Sequence, residues 1–126
     1  MGVIELLVSA KRAALLYEAL MGNGETNNEI GARLALTRRA LGFNRQTDFV
    51  EALNAVFSVS PRRWNNYETG CECIAVPVAL ALCDRFGLSF DWIYRGNRGG
   101  LPARVLRAIE DIETFDLHRR KLRADL

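Results

Sequence analysis

Ser60-Pro61-Arg62-Arg63-Trp64-Asn65-Asn66-Tyr67-Glu68 divides into two faces when wound as a helix. At about 100° per residue, Tyr67 and Glu68 fall on the side of Trp64, while Arg62, Asn65, Asn66 and Thr69 point away. Ser60 is a good N-cap, and Pro61 suits the first helical position, where no amide hydrogen is needed. Gly70 follows as a stop. The stretch predicts a short helix held from behind by aromatic rings and presenting a guanidinium and two carboxamides in front.

The flanking sequence predicts further short helices. Upstream, Val3 to Met21 reads as an amphipathic helix closed by Gly22-Asn23-Gly24. Thr26-Asn27-Asn28-Glu29 forms a capping box, with Thr26 as the cap. The helix it opens runs to about Leu41, with Ile30, Leu34 and Leu41 inward, and Gly42 stops it. Asn44 or Arg45 opens another through Phe49, Leu53 and Val56. Downstream of Gly70, Cys71 to Ala75 is a loop, and Pro77 lies in the first turn of a helix with Leu80, Cys83 and Phe86 inward. Gly87 ends it, and Ser89 caps a short helix carrying Trp92 and Ile93. Gly96-Asn97-Arg98-Gly99-Gly100 is the expected hinge. Pro102 opens a last helix with an apolar stripe of Val105, Ile109, Ile112 and Phe115. Without a convincing strand or repeat, the pattern is all-α.

Composition narrows the function classes. Hydrophobic residues make up 49% and charged residues 25% of 126 residues, the balance of one ordinary globular domain. A net charge of +2 does not by itself argue for nucleic acid. Between Arg33 and Arg98, however, nine arginines face six acids, and Arg45, Arg62 and Arg63 lie among neutral polar residues, so a local basic spot is expected. No apolar run is long enough for a membrane span, and Lys11 and Arg12 interrupt the N-terminal run where a secretory signal would be apolar. Three cysteines, an odd number, suit a reducing cytoplasm. Cys71, Cys73, Cys83 and His118 lack the paired spacing of a zinc site, so no metal is expected. No phosphate-binding glycine loop, metal motif or nucleophile elbow supports an enzyme, and no cofactor or small-molecule ligand is expected.

The order Gln46-Thr47-Asp48-Phe49, then Val59-Ser60, then Tyr67-Glu68-Thr69-Gly70 resembles the Cro/CI-type, lambda-repressor-like helix-turn-helix family. Leu41-Gly42-Phe43-Asn44 and Leu80-Cys83 leading to Phe86-Gly87-Leu88 extend the likeness. The segment Ser89-Phe90-Asp91-Trp92-Ile93-Tyr94-Arg95-Gly96 with Gly100-Leu101-Pro102 looks like a bacterial or prophage-derived branch. The resemblance spans about Ile30 to Pro102. It implies a compact five-helix core with additional N- and C-terminal helices, divided as 1–25, 26–98 and 99–126. It also implies that double-stranded DNA is read in the major groove, usually by a homodimer. Pro61, Arg62 and Asn66 match base-facing places, Gln46 matches a phosphate-holding one, and Arg38 and Glu68 match a buried ion pair. There are two departures. One extra residue lies near Arg45, and Ala55-Val56-Phe57-Ser58 looks inserted, either as extra helix adding about 6 Å or, the favoured reading, as a longer turn after a left-handed Asn54.

Each of these residues also has a plain reading. Arg62, Asn65 and Asn66 are base readers, or the solvated face of a surface helix. Arg63 on the flank, with Arg45, Gln46 and Thr47 at a helix start, would hold phosphates, or simply cap. Trp64 fills the core. His118-Arg119-Arg120-Lys121-Leu122-Arg123 is a basic tail that touches DNA backbone or frays in solvent. The reading favoured by these residues is a cytoplasmic, repressor-like transcriptional regulator. The alternatives are a partner-binding adaptor or antitoxin using the terminal helices, and a redox or metal sensor.

Overall fold

The structure is a computed structural model and describes residues 24–125. The expected helix Val3–Met21 lies outside the described residues. Every regular element among them is helical: α1 Gly24–Ala40, α2 Gln46–Asn54, α3 Pro61–Thr69, α4 Val76–Phe86, a single π-helical turn Asp91–Arg95, and α5 Ala103–Ala124. None is long and apolar enough to cross a membrane.

One apolar cluster joins all of them. Ile30 and Leu34 of α1 meet Phe49, Val50 and Leu53 of α2, Trp64 and Tyr67 of α3, Leu82 of α4, Trp92 and Ile93 of the π-turn, and Val105 and Ile109 of α5. Phe49 is the aromatic hub. Its ring lies 4.7 Å from Trp64, stacks at 5.5 Å on Phe86 and takes Phe43 edge-on at 5.5 Å. Such pairs stabilise by about 0.5–1.5 kcal/mol each beyond their buried area, so they fix how α2, α3 and α4 sit together.

Polar anchors pin the remaining pieces to α1. Thr37 Oγ1 donates to the Arg33 carbonyl at 2.6 Å and accepts from Trp92 Nε1 at 2.8 Å. Arg33 donates through Nε and Nη2 to the Ile93 carbonyl, each at 3.2 Å, and Ser89 Oγ accepts from the Trp92 amide. The glycine-rich stretch expected as a hinge is tied down in its middle. Arg98 lies over the Trp92 ring at 5.5 Å and grips Glu113 with two bonds of 2.7 and 2.8 Å. A second fork joins Arg39 to Asp116 at 3.0 and 3.3 Å.

Four expectations are corrected. Helix α1 is already running at Gly24, so Thr26 lies inside it and is not its cap. Leu80 is 49% exposed, and α4 turns Val78, Ala79 and Leu82 inward. That helix is apolar on nearly every side, so periodicity alone does not choose its buried face. Cys83 and Phe86 are only partly covered. The α5 stripe ends early as well. Val105 and Ile109 are buried, but Ile112 is half-buried and Phe115 is 57% exposed, because at about 100° per residue Phe115 lies roughly 120° round the helix from Ile109, while Asp116 takes the side that faces α1.

The two forks give a pH prediction. Hydrogen bonds from Arg98 and Arg39 hold the Glu113 and Asp116 carboxyls below the usual carboxylate range. A depressed folded-state value means the stabilisation is complete at neutral pH and is lost as pH falls through that value. Both pairs are exposed enough for water to weaken them, so the global effect is small. The expected result is a local one. Trp92 fluorescence should change below the ordinary carboxylate range before the helical signal collapses, and Glu113→Gln should bring that change to neutral pH. A Trp92 signal that moves only with global unfolding would contradict it.

Candidate functional site

Helix α3 is held at both ends. Ser60 Oγ accepts from the Arg63 amide at 3.1 Å, and Pro61 opens the helix. Gly70 closes it in the left-handed conformation at φ 82°, with the Asn28 side chain packed where a Cβ would project.

The rear of α3 is fixed by Trp64 and Tyr67, each 1% exposed, and by Glu68. The Glu68 carboxylate is a buried hub. Arg38 donates to it through Nε at 2.8 Å and Nη2 at 3.2 Å, Gln46 Nε2 donates at 3.1 Å, and the Trp64 indole N–H donates as well. Arg38 also ties the α1–α2 connection through its Nη1, which donates to the carbonyls of Phe43 at 2.9 Å and Asn44 at 2.7 Å. One carboxylate thus fixes α1, α2 and α3 relative to one another. Among the described residues, the buried Tyr67 hydroxyl has no hydrogen-bond partner.

Gly31 permits the closeness. A Cβ there would lie 2.5 Å from the Glu68 carbonyl oxygen and 2.6 Å from that of Tyr67. Helix α1 therefore crosses the last turn of α3 in backbone contact. No sequence signal singled out this glycine, because a glycine inside a helix reads only as a weak former.

The front of α3 is uncommitted. Arg62 and Asn65 are exposed and Asn66 is half-exposed. Among the described residues, none of the three uses its side chain in a hydrogen bond or ion pair. Arg63 stands on the flank, 3.8 Å from the Glu72 carboxylate and 6.0 Å from the Tyr67 ring. Arg45 and Thr47 are exposed at the start of α2, where no side chain caps the helix. Gln46 differs from its neighbours, since it is half-buried and its side-chain NH2 donates to Glu68. That partner lies 22 residues away, and nothing in the sequence gives the distance.

Residues 55–58 form a turn and do not extend α2. Ala55 is the right-handed C-cap, and the amides of Val56 and Phe57 both donate to the Leu53 carbonyl. The reason differs from the one expected. No non-glycine residue among those described has positive φ, so Asn54 is not left-handed. Its Oδ1 instead accepts from the Val59 amide at 2.9 Å and closes the loop, which returns Val59 to the core. Residues 55–58 are all exposed, and α2 and α3 pack together through Phe49 and Trp64.

The cysteines are not gathered. Cys71 is exposed and Cys73 and Cys83 are half-buried, with no disulfide among them. Burial pushes the Cys73 and Cys83 thiols up, away from thiolate reactivity, and Asp84 adds to this at Cys83. Among the described residues no group of His, Cys, Asp and Glu is placed to hold a metal ion. No family model, no curated protein and no solved structure matches this chain.

Proposed function

We propose that the protein is a sequence-specific, double-stranded DNA-binding regulator that lays α3 in the major groove, in a lambda-repressor-like arrangement. Arg62, Asn65 and Asn66 read base edges, and Arg45, Thr47, Arg63 and the start of α2 hold phosphates. Acting as a homodimer on a promoter, it represses by occupying the site. One observation supports this most. The rear of α3 is bound by buried rings and a four-donor carboxylate, while the three front side chains that suit guanine and adenine edges have no partner among the described residues. A short capped helix immobilised in this way presents its polar front at a fixed angle, as base readout requires.

Two substitutions separate the roles. Arg62→Ala should relax preference at one base pair, at a cost of about 1–3 kcal/mol for the preferred base. Arg63→Ala should weaken binding to all sequences alike and lower the salt dependence by about one counterion. Competition binding across salt concentrations reads both. If neither change alters DNA binding, the assignment is wrong.

A second reading has its own observation. Ala32, Ala35, Leu36 and Arg39 of α1 and Glu113, Asp116, Leu117 and Arg120 of α5 line an open groove. Each set follows helical spacing, so the seam between α1 and α5 runs along both helices, with the Arg39–Asp116 fork crossing it and Leu36 and Leu117 offering apolar surface to a partner. On this reading the protein is an adaptor or antitoxin-like partner-binding module.

A further inference from the structure

Among the described residues, helix α5 carries a second unpartnered surface, away from that groove. Phe115 is 57% and Leu122 55% exposed, and Arg119 lies over the Phe115 ring at 5.9 Å. On a helix, Ala108, Asp111, Arg119 and Leu122 all fall within roughly 40° of Phe115. They form one continuous face along α5.

That face is arranged symmetrically about Phe115. Asp111 and Arg119 stand four residues to either side of it, with opposite charges. Ala108 and Leu122 stand seven residues to either side, one small and one large. Beyond this face, Glu110, Asp111, Glu113 and Asp116 lie between Arg104 and Arg107 on one side and a basic run of His118, Arg119, Arg120, Lys121 and Arg123 on the other, and Glu113 and Asp116 are already held by Arg98 and Arg39. A parallel copy of α5 would set Asp111 against Asp111 and Arg119 against Arg119. An antiparallel copy centred on Phe115 sets Asp111 level with Arg119 at both ends of the face.

We propose that this face binds a second copy of the chain, with the two α5 helices antiparallel and a two-fold axis at Phe115. The rings of Phe115 then meet across the axis. Each Asp111 lies level with Arg119 of the other copy, and each Leu122 covers the other Ala108. A two-fold contact must be self-complementary, and few helix faces are. Nothing in this inference depends on DNA, so it stands or falls apart from the reading of α3.

The experiment is sedimentation of the full chain without DNA at about 10–100 µM, a range that detects an association of about −6 to −7 kcal/mol. A dimer is expected. Phe115→Arg should give monomer with unchanged helical signal, since the ring is exposed. Arg119→Asp or Asp111→Arg alone should weaken the dimer at least about tenfold, and the two together should restore it. In a Cys71→Ser background, Phe115→Cys should oxidise readily to a covalent dimer because the residue meets itself on the axis. Glu110→Cys, on the opposite side of α5, should not. A wild-type monomer across that range overturns the proposal. A dimer indifferent to Phe115 and to the charge reversals overturns it equally, and moves the interface to the α1–α5 groove or the N-terminal segment.

Discussion

Glu68→Ala is expected to lower the unfolding free energy by about 3–5 kcal/mol, the cost of leaving one partner of a buried pair uncompensated. The side chains of Arg38 and Glu68 are only 10% and 5% exposed. Removing the carboxylate strips an acceptor from Arg38, Gln46 and Trp64 at once. Arg38 keeps its two backbone carbonyl partners, which leaves its charge hydrogen-bonded but unneutralised. Domains of this size are stable by about 5–15 kcal/mol in total, so the variant should be close to unfolding at body temperature. Glu68→Gln keeps the acceptor oxygen and should fall between. The double variant Arg38→Ala, Glu68→Ala should cost less than the two single changes added together, because no lone charge remains. Urea unfolding followed by helical signal measures all of these. A Glu68→Ala cost under about 1 kcal/mol, the worth of an exposed pair, would contradict the hub.

Gly31→Ala is the second large effect, and it runs against local preference. Alanine favours a helix by about 1 kcal/mol over glycine. Here its methyl would sit 2.5 Å from the Glu68 carbonyl oxygen, where ordinary carbon–oxygen contacts begin near about 3.3 Å. The three atoms that crowd it, the Glu68 carbonyl oxygen and carbon and the Tyr67 carbonyl oxygen, all belong to backbone, so no rotamer relieves the clash. Helices α1 and α3 must part by roughly an ångström, and the strain should cost about 1–3 kcal/mol or more net. The same displacement tilts the front of α3. DNA affinity should therefore fall further than stability alone explains, measured at a temperature where the variant is still folded. A Gly31→Ala protein that is more stable than the parent would show that the helices are not in contact.

The sequence carried the punctuation of the fold well, because its signals are local. Gly42, Gly70 and Gly87 end helices, Pro61 and Pro77 start them, and Ser60 and Ser89 accept the amides that a cap should accept. The two faces of 60–68 were legible for the same reason: the aromatic and polar residues alternate cleanly at helical spacing. Punctuation failed at Thr26, where the helix is already running from Gly24, and the other failures were of rotation and reach. The apolar excess of α4 hid which side was buried, and the stripe on α5 gave no sign that the core would end before Phe115. Long-range partners were illegible in principle. The bond from Gln46 to Glu68 and the space required at Gly31 exist only once α1, α2 and α3 are assembled. The Arg38–Glu68 pairing was anticipated from a family likeness, since two charges 30 residues apart have no local signature.

The central claim, that the front of α3 reads bases, is tested most directly by selecting bound duplexes from a random pool at about physiological salt. The expected result is an enriched palindrome with half-sites about one helical turn apart, in which Arg62→Ala loses preference at one position in each half. A pool that emerges unenriched, or a consensus that Arg62, Asn65 and Asn66 do not influence, would contradict it.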